Sequence, residues 1–287
     1  MSEPTEPTAE PTATGVAAEP TARSTAEPPV LEVRGAVKRF GAVTALAGVD
    51  LAVGRGQVVG LLGDNGAGKS TLIKAITGVH RLDEGQILLD GAEVSIDSPP
   101  TARDHGIEAV YQDLSLFDNL DVVTNLYLGH ELTRPRGIRG MRGLGWLDRR
   151  AMQRDVKDRL EKLQVNVPDL RGHVGLMSGG QRQAIAVARA CAFASRVLIL
   201  DEPTAALGVR ETRNVLDTVR RLPAEHDIAV VLISHNMDHV VQVCDHAVVM
   251  RQGRVVGTTR PSPETTEEMV AMIVGAKEGA GQKGAHP

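Results

Sequence analysis

Two hydrophobic periodicities alternate along this chain. Val58-Val59-Gly60-Leu61-Leu62 is an apolar, β-branched run. A glycine-rich turn follows it, then a segment carrying Leu72, Ile73 and Ile76 at helical spacing. Gly78 closes that segment where a helix C′ glycine would sit. Apolar strands recur at Val197 to Leu200 and Ile228 to Ile233. Helical stretches lie between them (Val215, Leu216, Val219, Leu222) and after them (Met237, Val240, Val241, Cys244). Strands that are apolar throughout belong to sheets covered on both faces, and their alternation with helices predicts an α/β fold with a mainly parallel sheet and an antiparallel edge. Leu31 to Val33 and Val49 to Val53 alternate instead. Gln86 to Leu89 and Glu93 to Ile96 flank Asp90-Gly91 as a hairpin with a primed turn. Ala247 to Met250 and Arg254 to Gly257 supply the last strand pair. From about Leu114 to Ala194 the spacing is helical, as at Val156, Leu160 and Leu163. This stretch predicts an inserted helical subdomain and a core that is discontinuous in sequence.

Composition narrows the class. Hydrophobic residues make up 42% of the 287 positions but aromatics only 2%, so the core must be aliphatic. A net charge of −4 gives no general attraction to nucleic acid or anionic lipid. Cys191 and Cys244 lack paired spacing and fall in apolar patterns, which predicts buried reduced thiols rather than a disulfide or metal site. No apolar run approaches the roughly 20 residues of a spanning helix, and the acidic N-terminus lacks the apolar core of a signal peptide. A cytosolic chain is expected, with any membrane role supplied through a partner. Residues 1–29 repeat Glu-Pro-Thr and read as a disordered acidic tail, and 276–287 as a flexible one. Arg134 to Arg150 holds six arginines among glycines with Trp146, and reads as a solvated loop rather than an RNA-binding surface.

Three motifs carry chemistry. Gly63-Asp64-Asn65-Gly66-Ala67-Gly68-Lys69-Ser70-Thr71 joins strand to helix in the G-x-x-x-x-G-K-S pattern of a phosphate cradle. Its glycines let backbone N–H groups converge on phosphate oxygens, and the helix N-terminus adds its positive end. Lys69 would reach the β- and γ-phosphates, and Ser70 would ligate Mg²⁺. Asp201 and Glu202 end an apolar strand: Asp201 would hold Mg²⁺, and Glu202 could polarise an attacking water. Ser178-Gly179-Gly180-Gln181 opens a helical run with a serine N-cap and exposed backbone N–H groups, a second anion site.

Together these residues make the chain resemble an ATP-binding subunit of an ABC transporter over about residues 31–275. The resemblance implies a P-loop NTPase (RecA-like) core at 31–113 and 195–275, an antiparallel β subdomain, and a helical subdomain at about 114–194. The family's Q-loop corresponds to Tyr111-Gln112-Asp113 and its signature to Met177 through Gln181, with Met177 replacing the usual leucine. Its switch histidine corresponds to His235 in Ile233-Ser234-His235-Asn236. By resemblance, Phe40 stacks on adenine, Gln112 touches Mg²⁺ or water and senses the permease, and His235 bonds the γ-phosphate. Ser178 and Gly180 then face a nucleotide held by a second copy, so two chains sandwich ATP head-to-tail. One departure is Gly208, which stands where the family carries an aspartate that couples the subunits. Gly63 through Gly66, Ile76 through His80, Leu147 through Met152 and Ala206 through Glu211 are similar to single-domain ATPases of monosaccharide importers. This implies integral-membrane permease subunits as partners, an extracytoplasmic sugar-binding protein acting indirectly, no nucleic acid, and a place on the cytoplasmic face of the cell membrane. The rival is a soluble ABC ATPase acting on nucleic acid or ribosomes. Members of that kind carry a long coiled coil or two fused cassettes, neither of which occurs in this sequence.

Overall fold

The computed structural model describes residues 27–111, 114–135, 145–162, 167, 169–205 and 207–276. In chain order the first elements are β1 (Leu31–Phe40), β2 (Val43–Val53), β3 (Val58–Leu62), α1 (Lys69–Ile76), β4 (Glu84–Leu89), β5 (Ala92–Val94), α2 (Pro99–Asp104) and β6 (Ile107–Val110). The middle of the chain forms α3 (Val122–Tyr127), the short pair β7 (Thr133–Pro135) and β8 (Gly145–Leu147), α4 (Arg149–Lys162) and α5 (Gly179–Phe193). It then returns through β9 (Val197–Asp201), α6 (Val209–His226), β10 (Ala229–Ile233), α7 (Met237–Val243), β11 (His246–Arg251), β12 (Arg254–Thr259) and α8 (Thr266–Val274).

Six strands form the central sheet in the order β12-β11-β3-β10-β9-β6, parallel except for β12. Every residue of β3 and β10 is buried, which is why both read as unbroken apolar runs. Within them, period-2 alternation still assigns sides. Val197 and Ile199 of β9 join Val231 and Ile233 in one core with Leu72, Ile73 and Ile76 of α1. Leu198 and Leu200 join Val230 and Leu232 in the other, against Val215, Leu216 and Val219 of α6. A third apolar cluster lies in the helical region, where Met152, Val156 and Leu160 of α4 meet Val122 and Leu126 of α3 and Ile185 of α5. Leu163 lies outside the described residues. Among those residues, no helix is long and apolar enough to cross a membrane.

A separate antiparallel sheet, ordered β2-β1-β4-β5, packs on the α1 side. Asp90 and Gly91 both have positive φ (48° and 80°), the geometry of the primed turn expected there. Strands β1 and β2 run over 10 and 11 residues, well beyond the short pieces read from alternation. Their pairing shifts register between Val33 and Ala36, and again by Arg39, so the ladder continues while the inside–outside pattern breaks. The arginine-rich stretch is also not wholly loop, since its flanks pair as β7 and β8 with Trp146 70% exposed. Residues 136–144 lie outside the described residues. Cys191 is half-buried rather than buried, Cys244 is buried, and both are free.

Gly78 follows the C-cap of α1 at φ 73°, and a Cβ there would sit 2.5 Å from the Ser98 carbonyl oxygen. Left-handed backbone and a backbone wall act together, so Gly78→Ala should cost roughly 1–3 kcal/mol. The expected reading is a lower urea midpoint with an unchanged slope. A midpoint equal to that of the parent chain would show that the close approach to Ser98 does not constrain the turn.

Candidate active site

The parallel register brings three strand ends level. Leu61 of β3 and Asp201 of β9 both pair with Ile233 of β10, so the glycine loop, Glu202 and His235 emerge side by side. Crevices at the carboxyl ends of parallel strands are where α/β sheets hold ligands.

The loop wraps closely because its glycines allow it. A Cβ on Gly63 (φ 149°) would lie 2.3 Å from the Met250 carbonyl oxygen, and one on Gly68 (φ 103°) 2.7 Å from that of Ala45. Gly68 is also the N-cap of α1 and offers no side-chain cap, which leaves first-turn N–H groups for an outside acceptor. Ala67 is buried, whereas Asp64, Asn65, Gly66 and Ser70 are exposed and Thr71 half-buried. Lys69 folds back over the loop, its Nζ donating to the carbonyls of Gly63 (2.7 Å) and Asp64 (3.0 Å). Burial lowers its pKa, and the charges of Asp201, Glu202 and Asp64 oppose that shift.

The acidic side is held from several directions. Burial and then the Glu202 charge raise the pKa of Asp201, against the pull of Lys69 and Lys74. Glu202 adopts left-handed backbone (φ 51°), an uncommon conformation for a residue with a Cβ. Its N–H donates to the Ile233 carbonyl (3.0 Å), while its own carbonyl accepts from Ala205 N (3.2 Å) and Gln183 Nε2 (3.4 Å). Its side chain is only 16% exposed, and Oε1 lies 2.8 Å from Nδ1 of His235, which is 79% exposed. The result is a largely buried carboxylate paired with an exposed histidine at the carboxyl end of the sheet.

Ser178 caps α5 in a reciprocal capping box, accepting from Gln181 N (3.2 Å) while its N–H donates to Gln181 Oε1 (3.0 Å). Ser178 and Gly179 are exposed and Gly180 half-buried. Among the described residues, no hydrogen bond or ion pair joins these four residues to the Gly63–Thr71 loop. The fold thus brings the loop, Asp201, Glu202 and His235 together and leaves the capped start of α5 apart. Phe40 ends β1 with 44% exposure, meets His80 edge to face at 5.2 Å, and carries Lys38 Nζ 5.6 Å from its ring centre. Gln112 and Asp113 lie outside the described residues, but both flanks are anchored. Tyr111 donates its hydroxyl to Thr77 Oγ1 (2.6 Å) at the end of α1, and Arg189 of α5 donates to the carbonyl of Ser115 (2.9 Å).

Two polar contacts were not anticipated from sequence. Gln183 is buried on α5 and reaches the Glu202 carbonyl, and Nδ1 of His239 lies 3.2 Å from Thr204 Oγ1. A helical glutamine two residues after Ser-Gly-Gly-Gln carries no local signal. His239 had one, since it stands four residues after His235 at the start of a helix.

Residues 46–205 match the ABC transporter family. The fructose import ATP-binding protein FrcA of Rhizobium meliloti is 45% identical over 254 residues, covering 88% of this chain and 96% of that protein. The xylose/arabinose import ATP-binding protein XylG of Sulfolobus acidocaldarius is 41% identical over 85% of this chain and 93% of its own length. The ribose import ATP-binding protein RbsA of Burkholderia pseudomallei is 42% identical, and this chain spans 50% of its length. A solved nucleotide-free ATP-binding cassette from an ABC transporter superposes with a TM-score of 0.70 at 26% identity, covering 85% of this chain and 95% of that one. Matched from before its glycine loop to beyond its paired carboxylates, and alike in fold to a solved cassette, this chain belongs to the ABC transporter family.

Proposed function

We propose that this chain is the ATP-hydrolysing subunit of an importer, driving uptake of a small sugar through a separate membrane permease. The observation that carries the ATPase reading is the level alignment of the Lys69 loop, Asp201, Glu202 and His235 at three adjacent strand ends. The sugar is inferred from the relatives, whose names are those of fructose, xylose/arabinose and ribose import proteins. Those names also favour transport over a soluble ATPase acting on nucleic acid or ribosomes.

Each residue then has a task. Backbone N–H groups from Gly66 to Ser70 and Thr71 surround the phosphates, and Lys69 exchanges its two carbonyl partners for β- and γ-phosphate oxygens. Phe40 offers a half-exposed ring to the adenine. One exposed hydroxyl, Ser70, and one half-buried carboxylate, Asp201, suit Mg²⁺, a hard cation that takes few protein oxygens and keeps waters and phosphates for the rest. When bound, Mg²⁺ would neutralise phosphate charge as it develops in the reaction. Glu202 accepts a proton from water as that oxygen bonds to the γ-phosphorus and the bond to ADP breaks, and His235 holds the carboxylate and reaches the γ-phosphate. Gln112 would hold the same cation or its water. Ser178 through Gln181 turn outward to complete the site of a second copy, so the working unit is a homodimer. It sits against permease subunits on the cytoplasmic face of the membrane, with an extracytoplasmic sugar-binding protein acting across it.

Three outcomes are expected. Glu202→Gln should keep ATP affinity while kcat falls by about two orders of magnitude or more, measured by nucleotide titration and phosphate release. Near-normal turnover would remove Glu202 from this role. Asp201 titrates higher folded than unfolded, so its bound proton stabilises the fold at low pH, and that contribution is lost as pH rises through the folded value. At neutral pH the ionised group therefore costs stability. Asp201→Asn should raise the thermal midpoint of the nucleotide-free chain, by less as pH falls into the ordinary carboxylate range, while abolishing turnover. A lower midpoint at neutral pH would contradict this sign. Finally, ATPase activity of the chain co-purified with its permease should rise with one of several sugar-loaded binding proteins, and a flat response across fructose, xylose and ribose would overturn the sugar assignment.

A further inference from the structure

The segment leaving β9 is fastened at two points by the start of α7. Asn236 caps that helix, its Oδ1 accepting from the N–H groups of Asp238 (3.0 Å) and His239 (3.3 Å). Its own N–H donates to the buried Ser234 Oγ at 3.1 Å, so the junction between β10 and α7 is itself locked. From this base two imidazoles four residues apart reach two side chains two residues apart. Nδ1 of His235 lies 2.8 Å from Glu202 Oε1, and Nδ1 of His239 lies 3.2 Å from Thr204 Oγ1. The segment they hold is a tight turn, with Ala205 N donating to the Glu202 carbonyl and Leu207 N to that of Thr204 (3.2 Å each). Its first residue, Glu202, carries left-handed backbone that only surrounding contacts can maintain.

We propose that His239 is a positioning residue for ATP hydrolysis: in its neutral form it holds Thr204, and through the turn it keeps the Glu202 carboxylate in place beside His235. The inference rests on the reading of Glu202 given above. With the proton on Nε2, the Thr204 hydroxyl donates to Nδ1. Protonation puts an N–H on Nδ1, which reverses that bond and places a cation near both Glu202 and His235. Among the described residues, the charged and titratable groups close enough to act on His239 are Glu202 from the segment after β9, His235 from the loop after β10, and Asp238 from its own helix. Burial lowers the pKa of His239, favouring the neutral form, and Asp238 and Glu202 oppose that shift. A protonated His239 competes with His235 for the Glu202 carboxylate, so turnover falls on the acid side.

Steady-state ATPase of the full chain tests this with His239→Ala, His239→Asn, Thr204→Val and Thr204→Ser, each checked for an unchanged unfolding midpoint and ATP affinity. His239→Ala and Thr204→Val should each lower kcat about tenfold with KM for ATP within about twofold, the pattern of a misplaced catalytic group. The double variant should be no worse than either single one, because both remove the same bond. Asn, whose amide replaces Nδ1 without titrating, and Ser should restore most of the rate. The acid limb of kcat should shift to lower pH in His239→Asn. Wild-type kcat in His239→Ala, additive losses, or an acid limb unmoved in His239→Asn would overturn the proposal. Glu202→Gln separates the two failures. If it is inactive while His239→Ala is normal, only the positioning role is lost, whereas normal turnover in Glu202→Gln removes the Glu202 reading and this one with it.

Discussion

The level placement of the glycine loop, Asp201, Glu202 and His235 depends on the parallel pairing of β3, β10 and β9. Strands paired in this way cannot slip by one residue without turning buried valines and leucines towards the wrong layer. Both faces are covered, by α1 and the antiparallel sheet on one side and by α5 and α6 on the other, so the penalty falls on either face. Ile233 therefore stays level with both Leu61 and Asp201, and the chemistry one or two residues beyond each strand end is held in register by packing far from it.

That rigidity supports local arrangements that are unfavourable alone. Lys69 loses hydration as it enters the loop, and Asp201 is half-buried beside another carboxylate. Glu202 carries left-handed backbone, and Gly63 and Gly68 occupy conformations that exclude side chains. All of these lie at one end of the sheet. Polar contacts to this end come from neighbouring elements, among them Gln183 on α5, His235 and His239 around the start of α7, Gly253 N to the Ala67 carbonyl (2.9 Å), and Tyr111 through Thr77 at the end of α1. The site is thus joined both to the helical region and to the helix that begins in the phosphate loop. Arg189 extends the link by holding the chain at Leu114 and Ser115, just past Gln112.

What could be read from sequence follows from how local the determinants were. β3, β9 and β10 are buried on both faces, so composition alone revealed them, and the G-x-x-x-x-G-K-S and Ser-Gly-Gly-Gln strings occupy contiguous positions. The lengths of β1 and β2 were hidden because register shifts break the alternation from Val33 onward while pairing goes on. β6 was missed because Ile107-Glu108-Ala109-Val110 is short and carries a carboxylate. That group is tolerated because His130 Nε2 lies 3.2 Å from Glu108 Oε1, a contact made across 22 residues, and burial still raises its pKa. The role of Thr204 was equally invisible, since its partner His239 stands 35 residues away.

Gly208 shows how one missing carboxylate changes its surroundings. It is the N-cap of α6 in extended backbone, φ −72° and ψ 171°, and provides no side-chain acceptor to the first turn. Glu211, in that turn, places Oε2 2.7 Å from where a Cβ on Gly208 would stand. An aspartate at this position would cap the helix but bring a second carboxylate against Glu211, at close range and with the same sign. Glycine removes that conflict and leaves the acidic complement of the helix dipole to Glu211 alone. The neighbouring Val209 is 82% exposed, and Arg210 and Glu211 are exposed beside it, so past the turn held by His239 the segment presents an apolar side chain and charges of both signs.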